Sequence, residues 1–142
     1  MHYIPFSGIR ELARIAIILD RPRESALPLI REALSHSSIP VTRFILGHVA
    51  SAHLGGRLTQ DMYYSWLPHL AQHIRYTPYV ITVGERTADL LTDLVEYSIL
   101  PSDPTLIHMP DLPGRGKAVR TEWQGHLQNV IEQLEPLYGV GG

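Results

Sequence analysis

The chain contains no cysteine, a single lysine (Lys117) and a single asparagine (Asn129). Without cysteine there is no disulfide framework, no thiolate metal site and no cysteine nucleophile. Long apolar runs are also missing. The longest aliphatic stretch, Ile15 to Leu19, is far short of the roughly 20 residues a membrane-spanning helix needs. The opening Met1-His2-Tyr3-Ile4-Pro5 lacks the basic start and apolar block of a signal peptide, so none is expected. No G-x-S-x-G elbow is present. The sequence therefore points to no chemistry of its own and no cofactor. What remains is a chain of 142 residues, 44% hydrophobic and 18% charged, which are globular values. That length fits one domain burying roughly two thirds of its unfolded surface.

Caps and breakers predict an all-α fold of six helices. Ser7 caps the first, which runs to Asp20 with Ile9, Leu12, Ala13, Ala16 and Leu19 at helical spacing; Pro22 ends it. A second spans about Arg23 to His36, with Pro28 in its first turn or kinking it, and a third runs from Pro40 to Gly55-Gly56. Thr59 caps a fourth, bent at Pro68 and ended by Pro78. Thr82-Val83-Gly84-Glu85 reads as a capping box opening a fifth helix to about Leu100. Residues 100–116, with Pro101, Pro104, Pro110 and Pro113, read as a long proline-rich loop. A sixth helix, about Lys117 to Glu135, aligns Trp123, Leu127, Val130, Ile131 and Leu134. The expected division is a basic helical arm over 1–38 and a compact helical bundle over 39–142, together one structural unit. Tyr79-Val80-Ile81, followed by Gly84 and a helix, could belong to an α/β nucleotide fold. The three spaced glycines and later acid of a dinucleotide fingerprint are missing, so the all-α expectation stands.

Three features could carry function. His69 and His73 stand four apart on one helical face, as metal ligands often do, but no third ligand is evident and no metal is expected. Gly114-Arg115-Gly116-Lys117 resembles a phosphate loop, yet Asp111 and Ala118 occupy positions where a P-loop needs glycine and a hydroxyl residue. It is still a basic turn entering a helix N-terminus, with Arg120 one turn on, and such ends attract phosphate. Charge is also uneven. The first 60 residues carry seven arginines against four acids, residues 61–113 two arginines against seven acids, and the total is −2. A basic surface for nucleic acid and an acidic one for solvent fit that asymmetry. The candidate phosphate-binding residues are Arg10, Arg14, Arg21, Arg23, Arg31, Arg115, Lys117 and Arg120.

The arginine-bearing segment from Ser7 to His36, followed by the bundle from Pro40 to Glu135, resembles the layout of coat (capsid) proteins of archaeal filamentous and rod-shaped DNA viruses. The resemblance implies a structural virion protein, not an enzyme. It also implies helical polymerisation with itself or a paralogous subunit, wrapping of double-stranded DNA through arginine–phosphate contacts, and a place in the virion after assembly in the host cytoplasm. The net charge of −2 departs from that pattern and leaves part of the neutralisation to a more basic subunit. The alternatives are a helical small subunit of a nucleoprotein complex of the CRISPR-effector kind, a helical adaptor, and, third, a small enzyme.

Overall fold

In the computed structural model, residues 14–20, 25–39, 43–48, 68, 70–72, 74–75, 77–96 and 104–138 are described. Ile15–Leu19 forms the central strand β1. All five of its residues are buried, so both faces of the strand are covered and no polar alternation shows in the sequence. Its three isoleucines are stiff at χ1 and favour the pleated conformation over a helix. Phe44–His48 is β2, Tyr79–Val83 is β3 and Thr105–Met109 is β4. The four strands form one parallel sheet in the order β2-β1-β3-β4. The register sets Ile17 between Leu46 and Ile81.

Three helices complete the named elements: α1, Ala26–Leu34; α2, Glu85–Glu96; and α3, Lys117–Tyr138. A further helical stretch includes residues 68, 70–72 and 74. Side chains alternate cleanly between the two sheet faces. Ala16, Ile18, Ile45 and Val80 pack beneath Leu70, Ala71, Ile74 and the Leu90, Leu91 and Leu94 stripe of α2. Ile15, Ile17, Leu19, Ile81 and Val83 pack on the other face, beneath Leu29, Ile30 and Ala33 of α1 and Trp123, Leu127, Ile131 and Leu134 of α3. Trp123 Nε1 donates to the carbonyl of Pro110 at 2.9 Å, which satisfies its one donor and ties α3 to the end of β4. The fold is thus a doubly wound α/β layer, helix–sheet–helix.

This overturns the all-α expectation. The basic helix-turn-helix arm is overturned in its first half, where Ile15–Leu19 is β1, because a five-residue run buried on both faces carries no helical period, while the second expected helix is present as α1. The proline-rich loop contains β4, a five-residue edge strand bounded by Pro104 and Pro110. Within the span expected for the third helix, Phe44–His48 is β2. The capping box also fails. Thr82 lies within β3, fully buried, and its hydroxyl shares a 2.6 Å hydrogen bond with Nδ1 of His108 on β4, the donor being set by the histidine tautomer. The likeness to filamentous-virus coat proteins was one of all-helical layout. With a parallel sheet in its place, the fold gives no support to viral, capsid, virion or filament terms for this chain. Among the described residues no helix is long and apolar enough to cross a membrane. The fifth and sixth helices, now α2 and α3, stand within a few residues of their expected bounds. Pro28 lies in the first turn of α1.

Candidate anion-binding site

Each named helix follows a strand, so α1, α2 and α3 all begin at the carboxyl edge of the sheet and point their unpaired amide groups there. The chain leaves β1 for β2 on one side and later returns to β3 on the other. The carboxyl end between β1 and β3 is therefore the topological switch point, where open α/β sheets bind ligands. On the face carrying α1 and α3, a two-lobed cleft lies between these helices.

The larger lobe, about 390 Å³, is lined by Glu32 of α1 and by Lys117, Arg120, Thr121 and Gln124 of α3, among others. The smaller, about 250 Å³, is lined by Ser25 ahead of α1 and by Gly114 and Arg115 ahead of α3. Leu29 and Arg120 line both lobes and join them. Gly116, with φ +127°, makes the turn into α3, and the Arg120 amide donates to its carbonyl at 3.2 Å. The left-handed φ favours glycine at this position, because a side chain would strain there.

Electrostatically the two helix ends are unbalanced. Ordinarily an acid in the first turn or a capping side chain offsets the positive end of a helix. Here α2 follows that rule with Glu85, but α1 and α3 have no acid in their first turns. Ser25, the residue ahead of α1, makes no side-chain cap. Lys117 and Arg120 instead add positive charge to the amino end of the 22-residue α3, and Arg115 stands just ahead of it. All three cations are exposed, and no described carboxylate pairs with them. Among the described residues, the only carboxylate lining either lobe is Glu32, which accepts a hydrogen bond from Gln124 Nε2 at 3.0 Å.

Of the eight candidate phosphate-binding residues, Arg115, Lys117 and Arg120 converge on this cleft. Arg14 does not. It precedes β1, at the opposite edge of the sheet, is half-buried, and its amide donates to the Arg43 carbonyl at 2.8 Å. Arg31 is exposed in the second half of α1, away from the helix start. Arg10, Arg21 and Arg23 lie outside the described residues, as do His69 and His73. No group of three potential metal ligands occurs among the described residues. The site residues missed from sequence are Ser25, Glu32, Thr121 and Gln124. Part of that set was readable: Lys117, Arg120, Thr121 and Gln124 stand at i, i+3, i+4 and i+7, a single polar stripe on one helix. Glu32 carried no such signal, since only the packing of α1 on α3 brings it to Gln124.

On the opposite face, Thr82 and His108 place a hydroxyl against an imidazole, but the hydroxyl is fully buried and cannot meet a substrate. Thr87, in the first turn of α2, is also fully buried. Its Oγ1 is the one buried side-chain polar atom without a partner among the described residues. A buried, unsatisfied hydroxyl costs about 1–3 kcal/mol. Thr87→Val keeps the shape and removes that cost, so it is expected to raise stability by about 1 kcal/mol, read as a higher denaturant midpoint at unchanged slope. A lower midpoint would show that the hydroxyl stabilises the fold.

The three cations and two helix starts without a first-turn acid thus meet at one cleft, on the edge of the sheet where such folds bind ligands. No protein-family model matches this chain, and no curated protein matches it in sequence.

Proposed function

We propose that this protein binds a small phosphate-bearing molecule in the cleft between α1 and α3. The observation that supports this most is the meeting of Arg115, Lys117 and Arg120 with two helix starts that have no acid in their first turns. Each cation beside a helix start raises the local positive potential, and an anion seated there relieves it. Arginine can hold a phosphate through two parallel hydrogen bonds, and lysine adds a mobile point charge. A volume of about 390 Å³ suits a small molecule, since ligand clefts run from roughly 300 to 1,000 Å³.

A small ligand is favoured over a nucleic-acid backbone by where the charge sits. A duplex needs a basic surface extending along its length. Here Arg115, Lys117 and Arg120 share one concave spot, while Arg14 stands at the far edge of the sheet and Arg31 lies in the second half of α1.

Calorimetric titration with inorganic phosphate tests the reading. Saturable binding that weakens with added salt is expected, and Arg120→Ala should weaken it about tenfold or more, since hydrogen bonds to charged groups are worth roughly 1.5–3 kcal/mol. Absence of saturable binding would sink the proposal. Tighter binding to a short DNA duplex than to any small phosphate would replace it with nucleic-acid binding.

A further inference from the structure

The larger lobe is chemically two-ended. Toward the start of α3 stand Lys117 and Arg120, both donors. Deeper along the same stripe stands Gln124, whose Nε2 donates to the Leu29 carbonyl at 3.1 Å and to Glu32 Oε2 at 3.0 Å. Both amide hydrogens are thereby used, so the group Gln124 has left to offer is its carbonyl oxygen, an acceptor. Glu32 is held by the same bond and keeps its second carboxylate oxygen, also an acceptor. Thr121 adds a hydroxyl between the two ends. At 1.5 Å of rise per residue, Gln124 lies about 6 Å along the helix axis from Arg120 and about 10 Å from Lys117.

A bare phosphate ion fills only the donor end. An acceptor pair fixed about 6–10 Å away along the helix asks for hydrogen-bond donors on the same ligand. Hydroxyl groups meet that need better than an ammonium group, because Lys117 and Arg120 line the same lobe and repel a third cation. A second phosphate is disfavoured at that end by the Glu32 carboxylate.

We infer that the ligand is a phosphate monoester of a polyhydroxylated compound, a sugar or polyol phosphate. Its phosphate sits against Arg115, Lys117 and Arg120, and its hydroxyls donate to Glu32 and Gln124. This inference rests on the phosphate-binding reading above, and titration can separate the two. The probes are inorganic phosphate, ribose 5-phosphate and phosphoethanolamine, each against the full chain and its Glu32→Ala variant. Glu32 is exposed, so its truncation leaves the core untouched.

In the parent protein, ribose 5-phosphate should bind about tenfold tighter than inorganic phosphate, and phosphoethanolamine should gain nothing over phosphate. In the variant the sugar phosphate should lose that advantage, ending within about twofold of phosphate, while phosphate itself binds more tightly once the Glu32 charge is gone. Equal binding of phosphate and ribose 5-phosphate to the parent would overturn the inference and leave the phosphate site standing. So would an advantage that survives Glu32→Ala. Preference for phosphoethanolamine would overturn the hydroxyl assignment. If no probe binds, the underlying phosphate reading falls, and this inference with it.

Discussion

Ile17→Ala is expected to destabilise the protein by about 2–5 kcal/mol, the range for truncating a large aliphatic side chain in a core that cannot fully collapse around the gap. Ile17 is only 1% exposed and packs beneath α1 and α3 in the centre of the sheet, with Leu46 and Ile81 beside it in register. A domain of this size has about 5–15 kcal/mol in total, so one truncation removes a large share. Equilibrium denaturation at 25 °C measures it. The same substitution separates the sheet from a helical arm. In a helix with the apolar face Ile9, Leu12, Ala13, Ala16 and Leu19, residue 17 falls at the margin, where changes stay within about 0.5 kcal/mol. A loss that small would contradict a central strand at Ile15–Leu19.

The second large effect combines a gain and a loss. Lys117 opens α3, where a cation opposes the helix dipole. Lys117→Glu replaces it with the charge the dipole favours. The ligand-free protein should become more stable by about 0.3–1 kcal/mol. Phosphate affinity should fall about a hundredfold or more, since a charged contact worth roughly 1.5–3 kcal/mol is lost and repulsion is added. Thermal melts without and with phosphate read both effects on one sample: the variant melts higher alone and gains nothing from the ligand. A variant that melted lower, or that still gained from phosphate, would show that Lys117 serves the helix and not a ligand. Binding sites commonly hold charge arrangements that the empty protein would be better without, and this pairing of signs is how such an arrangement shows itself.

The sequence was legible where its period was helical. In α2 and α3 one face is buried and the other is wet, so Leu90, Leu91 and Leu94, and Trp123, Leu127, Ile131 and Leu134, recur at intervals that a reader can find. Most of the strands were not legible. In a parallel sheet covered on both sides, β1 shows no alternation, and its five apolar residues continue a helical pattern as easily as they form a strand. Thr105–Met109 was hidden differently. The prolines around it read as a loop, although a long structureless loop inside a small domain is itself a reason to look for a strand. Tyr79-Val80-Ile81 is legible as a strand, and only the missing glycine fingerprint argues against an α/β fold there. Gly84 nonetheless makes the strand-to-helix turn at φ +96°, with its amide donating to the Met109 carbonyl at 3.0 Å. The fingerprint marks one class of ligand, not the whole architecture.

The site was half legible. Arg115, Lys117 and Arg120 were visible as a basic turn entering a helix, because that chemistry is local. The arginines nearer the amino terminus looked like their partners only while a helix was assumed beneath them. With β1 in place, Arg14 stands at the edge of the sheet opposite the cleft. Glu32 and Gln124 meet across 92 positions in the chain, a distance that no local pattern spans.

That sheet order also governs when the protein can fold during its synthesis. β1 is made before the other described strands, yet one of its two flanking partners is β3, which pairs Ile15 with Tyr79. At roughly 5–20 residues per second, about 3–13 s of translation separate the two ends of that pairing. Throughout that interval the most apolar segment of the chain waits without one of its neighbours. It is the stretch on which a chaperone would be most useful, and the one from which a stalled or truncated product would aggregate.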